Sequence, residues 1–202
     1  MAIVVIGGHS RSVGKTSVVA GLIAALREFQ WTAAKITQYG HGVCSASGKV
    51  CDCACDDHSW AITEERDRSG ESDTSRFLVA GAKRSLWVRT EQGKLGDAIP
   101  AFLRQIQDAP NVILESNSVL RFLEPDLYLS VLDPAVKDFK NSAREFLDRA
   151  DAIIVHRIST PSTNCDGVTP DGIRLKFEIS PPPYVTQEIA AFVRDRVASA
   201  QM

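Results

Sequence analysis

The chain has 202 residues, 44% of them hydrophobic and 24% charged, with a net charge of −2. That is the make-up of a soluble globular protein with one domain and a sizeable core. It excludes a dedicated nucleic-acid binder, which needs a basic excess, and no apolar run approaches the roughly 18–20 residues of a membrane span. With no charged-then-apolar leader at the N-terminus, the expected location is the cytoplasm.

Residues 2–6 form a β-branched run that reads as a fully buried strand. Gly7-Gly8-His9-Ser10-Arg11-Ser12-Val13-Gly14-Lys15-Thr16-Ser17 follows, and residues 18–29 then carry apolar residues at helical spacing. Strand, glycine-containing turn, Gly-Lys-Thr and helix make the setting of a phosphate-binding loop. Amides of the turn and of the helix N-terminus attract anionic phosphate. Gly8, Ser10, Arg11, Ser12, Val13, Gly14, Lys15, Thr16 and Ser17 are the expected nucleotide ligands. Lys15 reaches the β- and γ-phosphates, and the Thr16 hydroxyl holds Mg²⁺. The usual pattern places glycine where this chain has His9, and Gly8 precedes Gly14 by five intervening residues. In this longer loop the chain resembles dethiobiotin synthetase and its relatives in the signal-recognition/MinD/BioD class of P-loop NTPases. Many members of that class carry a signature lysine at the place of Ser10; here Arg11 stands beside it.

Residues 31–37 read as a second strand, and Lys35 lies near its end. An unpaired buried ammonium is costly, so Lys35 faces either a phosphate or carboxylate, or solvent at the strand end. Residues 38–70 read as an insertion rich in cysteine. Four of the five cysteines, Cys44, Cys51, Cys53 and Cys55, fall within twelve positions, with His58 close behind. In a reducing compartment this density argues for metal rather than disulfides. Thiolates suit zinc or an iron–sulfur cluster, and the C-x6-C-x-C-x-C spacing is neither the usual zinc-ribbon nor the ferredoxin run. From Asp52 to Asp73 acidic residues outnumber basic ones eight to two, which reads as a solvated, mobile loop.

Residues 72–82 start a helix with Ser72 or Asp73 as N-cap. The string Asp73-Thr74-x-Arg76-x3-Ala80-Gly81-Ala82 resembles the Asp-Ser/Thr-x-Arg…Ala-Gly-Ala segment of molybdopterin-guanine dinucleotide biosynthesis protein B, a family that also opens on a P-loop. That resemblance implies a nucleotide site at a dimer interface, with Asp73 near Mg²⁺ or the attacking water. On residue chemistry alone Asp73 is equally a helix cap, and Arg76 a surface residue as readily as a phosphate clamp. A strand over 84–89 and a helix over 95–107 containing Pro100 follow. Residues 111–117 form a hydrophobic strand ending in an acid, so Glu115 either orients the attacking water or the hydration shell of Mg²⁺ or faces solvent at the strand end; Ser116, Asn117 and Ser118 are candidate substrate contacts that no charge or spacing decides. The remaining expected elements are strands over 125–133, 150–157 and 173–179 and helices over 141–149 and 185–198. GTPases of this class usually end the strand at 150–157 with Asn-Lys-x-Asp; His156-Arg157-Ile158-Ser159 replaces it, which favours ATP over GTP.

The alternation of strands and helices predicts an α/β doubly wound, mostly parallel sheet with helices on both faces, residues 1–202 forming a single P-loop NTPase domain. The expected activity is Mg-dependent hydrolysis of ATP (or GTP), with Lys15, Asp73 and Glu115 catalytic, Lys35 at the nucleotide, and Thr16 and Asp73 on Mg²⁺. It would be coupled to iron–sulfur or zinc at the cysteines, in an accessory factor for metallocofactor assembly. A homodimer and a metalloenzyme client are the expected partners, with no nucleic acid and no membrane. The alternatives are a dethiobiotin-synthetase-like ligase or kinase acting on a small acid with a structural zinc, and a nucleotide-sensing module with little turnover.

Overall fold

The computed structural model describes residues 1–39, 59–157 and 175–201. Eight strands are found there: β1 (Ala2–Gly8), β2 (Trp31–Tyr39), β3 (Trp60–Glu64), β4 (Arg84–Glu91), β5 (Asn111–Glu115), β6 (Leu127–Leu132), β7 (Ala152–His156) and β8 (Lys176–Ile179). They form one sheet in the order β3-β4-β2-β5-β1-β6-β7-β8. All neighbours are parallel except β3, which runs antiparallel to β4 along the edge. The chain winds to one side of β1 and then to the other, so the carboxyl end of β1 is a switch point where α/β sheets take their ligands.

Helices α1 (Lys15–Ala25), α2 (Asp73–Ala80) and α5 (Gln187–Ser199) cover one face, where Val4, Ile6, Leu129 and Ile154 meet Val18, Leu22, Phe77 and Val193. Helix α3 (Leu95–Ile106) and the segment around the single turn α4 (Asn141–Arg144) cover the other, where Val5, Leu114 and Ile153 meet Phe102, Phe146 and Leu147. The change of face between Val4, Val5 and Ile6 is the period-2 alternation of a strand covered on both sides.

Several boundaries depart from the sequence reading, each for a local reason. Helix α1 begins at Lys15 and ends at Ala25 rather than running to residue 29. Leu26 leaves helical geometry at φ −129°, its carbonyl accepts from Trp31 Nε1 at 2.8 Å, and Gln30 turns left-handed at φ 52°. The helix expected over 141–149 breaks at Phe146 (φ −120°, ψ 0°), which buries its ring with Leu147 against the sheet. The span 38–70 is not all insertion, since β2 continues through Tyr39 and residues 60–64 add the edge strand β3. Nor is its acidic run simply a solvated loop. Glu64 pairs with Arg84 at 2.8 Å, and Glu65 accepts from the hydroxyls of Thr74 at 2.7 Å and Ser72 at 3.0 Å. Cys44, Cys51, Cys53, Cys55 and His58 lie outside the described residues, as do Cys165 and the first part of the strand expected over 173–179.

Candidate phosphate and metal site

At the carboxyl end of β1 the chain turns around its own lysine. Ser12 (φ 57°) and Gly14 (φ 91°) are left-handed, and the Lys15 ammonium reaches back to the Ser10 carbonyl. Gly14 starts α1 with no side-chain cap, and the first turn carries no acid. By contrast α2 and α5 are capped by Ser72 and Thr186. The first amides of α1 therefore keep their capacity for an anion, and the helix dipole favours one there.

The entry to the loop is held by a residue that the sequence left undecided. Asn117 accepts from the Gly8 amide at 2.9 Å and donates to the Gly8 carbonyl at 2.8 Å. The Ser116 hydroxyl caps the following turn, accepting from Val119 N at 3.2 Å. A Cβ on Gly7 would lie 2.2 Å from Asn117 Oδ1 and 2.8 Å from the Tyr128 ring. Gly7→Ala is thus expected to break the Asn117 clamp and lower stability by about 2 kcal/mol, read as a drop in thermal midpoint.

His9, buried at 3% exposure, pins the loop after β6 onto the phosphate loop. Its Nε2 donates to Val136 O at 3.0 Å while its carbonyl accepts from Lys140 N at 2.9 Å. Ser10 Oγ adds a 2.7 Å bond to Asp138. Ser10 therefore serves the loop's own structure, and Lys140 is brought into the same electrostatic field as Lys15, Lys35 and Arg11. Arg11 and Ser12 are exposed, whereas Val13 is buried against Gly8. The only sequence hint of this latch was histidine where the common pattern has glycine. On the far side, Tyr184 packs over Gly14 and meets His156 edge-on at 5.8 Å. Neither was expected at the loop.

Lys35, Asp73, Glu115 and Thr16 meet at one point. Lys35 and Glu115 are register partners on the adjacent parallel strands β2 and β5, so their side chains share a face. Lys35 Nζ donates to Glu115 Oε1 at 2.9 Å and to Asp73, the first residue of α2. Thr16 Oγ1 donates to Glu115 Oε2 at 2.8 Å. Glu115 is 5% exposed and does not point to solvent. Ser72 is the cap of α2, which leaves the Asp73 carboxylate free to face the site. Arg76 donates to Ser17 Oγ at 3.0 Å and so ties α2 to α1. Among the described residues, no three His, Cys, Asp or Glu side chains cluster as a metal site. Two carboxylates and a hydroxyl do fit Mg²⁺, which keeps waters and takes its other ligands from phosphate.

The two lysines are tuned in opposite directions. Burial is the main force on Lys15 and, with repulsion from Lys140 and Lys35, outweighs Glu115 and lowers its pKa to about 8. Burial works against the Lys35 ammonium too, but Glu115 and Asp73 outweigh it and hold Lys35 above the usual lysine range. A polyphosphate arriving beside Lys15 favours the charged form. Metal-free ADP binding is therefore expected to take up protons just above pH 8 and to weaken as pH rises through that value. Calorimetry in buffers of different ionisation enthalpy reads the uptake.

No protein-family model matches the sequence, and comparison with curated proteins returns no match. Solved structures do resemble it. HypB from Helicobacter pylori in complex with nickel matches with a TM-score of 0.50 at 13% identity, over 98% of this chain and 88% of that one. The chain has the P-loop NTPase fold. LpxK from Aquifex aeolicus in complex with ATP matches at a TM-score of 0.48 and 18% identity, over 88% of this chain. The signal recognition particle receptor FtsY from Elizabethkingia anophelis in complex with GDP matches at 0.38 and 14%, over 77%. The chain spans 53% of LpxK and 49% of FtsY. No helix among the described residues is long and apolar enough to cross a membrane.

Proposed function

We propose that the chain is a Mg-dependent nucleoside triphosphatase, using ATP in preference to GTP, whose nucleotide state is coupled to a metal held by Cys44, Cys51, Cys53 and Cys55 with His58. The observation that carries the nucleotide half is the convergence of Lys15, Thr16, Lys35, Asp73 and Glu115 at the uncapped start of α1. In this reading Lys15 stabilises the charge that develops on the transferred phosphoryl group. Thr16 and Asp73 hold Mg²⁺, which neutralises the β- and γ-oxygens when bound, and Glu115 orients the attacking water. The absence of an acid at Ser159 supports ATP. The thiolates supply soft donors for zinc or an iron–sulfur cluster, and the nickel bound by HypB is compatible with a metal-handling role. The protein would then act as a homodimer and an accessory factor in metallocofactor assembly, with a metalloenzyme as client.

A second reading, an ATP-dependent ligase or kinase on a small acid with structural zinc, draws on the cations beyond Lys15. Lys35 and Lys140 share the field of the site and suit an anionic acceptor. Product analysis separates the two. Slow release of ADP and phosphate from Mg·ATP with no acceptor supports the triphosphatase, and silence until a carboxylic acid is added overturns it. Metal content and the absorption spectrum of anaerobically purified protein test the second half. Bound iron or zinc lost in Cys53→Ser supports it, and metal-free protein overturns it.

A further inference from the structure

The Lys35 ammonium lies among the groups that suit magnesium: Glu115 Oε1 at 2.9 Å, Thr16 Oγ1 at 3.5 Å and an Asp73 oxygen in direct contact. We propose that Lys35 is the resident cation of this site in the nucleotide-free protein, standing in the place of the metal and yielding it only when metal and polyphosphate arrive together. The inference rests on the placement of Mg²⁺ at Thr16 and Asp73 proposed above, with Glu115 beside it at its hydration shell.

Charge makes the argument. Asp73 and Glu115 carry two negative charges, Lys35 offsets one, and Lys15 and Lys140 are close enough to repel Lys35 and each other. A lone divalent ion entering this partly buried spot would face three ammonium groups with two carboxylates to hold it. A nucleotide tail adds several negative charges beside the same groups, so the metal and all the lysines can stay. Nothing rigid has to move. Lys35 and Glu115 are fixed by strand register and Asp73 by the Ser72 cap, while the flexible four-carbon stem of Lys35 can swing its charge to the arriving phosphate. Lys15 is folded back in the same way, its ammonium on the Ser10 carbonyl. The nucleotide-free site is thus neutralised by its own chain, and metal and nucleotide binding become synergistic.

Mn²⁺, followed by the electron paramagnetic resonance of the free ion, tests this. Wild-type protein should bind Mn²⁺ weakly alone and at least about tenfold more tightly with ADP. Lys35→Met should bind Mn²⁺ alone at least about tenfold more tightly than wild type, and the synergy with ADP should shrink. Unchanged or weaker Mn²⁺ binding by a Lys35→Met protein with a cooperative melt overturns the proposal. Should that variant fail to fold, the ¹⁵Nζ resonance of Lys35 in the wild type decides. It should hold its place with Mg²⁺ alone and shift with Mg²⁺ and ADP together; a shift with Mg²⁺ alone overturns the proposal. Failure of the underlying metal assignment looks different, because Mn²⁺ binding in the presence of ADP would then be untouched by Glu115→Gln.

Discussion

Replacing Lys15 by methionine is expected to abolish turnover and, at neutral pH, to make the nucleotide-free protein more resistant to heat. The ammonium lies on the Ser10 carbonyl within the loop that opens α1, and removing a donor preorganised for transition-state charge costs about 10²–10³ in rate. Hydrolysis by Lys15→Met or Lys15→Ala at the wild-type rate would refute the site. The stability effect has the opposite sign. Lys15 is held by a carbonyl rather than a carboxylate, and its pKa is pushed from 10.5 to about 8. The folded state therefore binds fewer protons than the unfolded one between those two values. The penalty is complete below about pH 8 and fades as pH rises toward 10.5. Methionine keeps the stem that packs on Gly8, so Lys15→Met should gain of the order of 1 kcal/mol at neutral pH, the usual yield when a functional site is relieved of its own strain. Melts at increasing pH should show the two proteins converging. Alanine sacrifices the packing as well and should gain less.

The phosphate loop was legible in the sequence because its chemistry is local. A β-branched run, Gly-Lys-Thr and an apolar continuation at helical spacing lie within one short stretch, and the structure brings strand, turn and helix together there. The cap of α2, read as Ser72 or Asp73, was legible for the same reason, since the Ser72 hydroxyl bonds within its own turn. What was not legible depends on strands far apart in sequence. That Lys35 and Glu115 share a face follows from β5 inserting between β2 and β1, and no periodicity in either strand states that order. His9 and Asn117 belong to the same category, because each is explained by a partner more than a hundred residues away. The edge strand β3 was hidden for another reason. Its Trp-Ala-Ile-Thr-Glu sequence stands in an acidic stretch, and its antiparallel pairing to β4 needs no continuous apolar run when one edge is open.

Glu115→Ala is expected to cost about 3 kcal/mol of stability, because removing one partner of a buried pair leaves its charge uncompensated. Lys35 would be left with Asp73, which is 40% exposed, and Thr16 would lose its acceptor. Glu115→Gln keeps an oxygen for both donors and should lose much less, yet both variants should lose most turnover and most Mn²⁺ binding in the presence of ADP. Equal melts for the two variants would show that Glu115 contributes volume rather than charge. The pH dependence separates the cases further. In the wild type, Glu115 and Asp73 hold the Lys35 pKa above its ordinary 10.5. The stabilising charge is therefore fully present at neutral pH and is lost only as pH rises through that raised value. Burial is the largest single influence on Lys35, and without Glu115 only Asp73 opposes it, so the Lys35 pKa falls. The variant then has less stabilising charge to lose than the wild type as pH rises past 10.5. The melting gap between wild type and Glu115→Ala should accordingly be wide at neutral pH and narrow in alkali. A gap that does not change with pH would mean that Lys35 is not the charge that Glu115 neutralises.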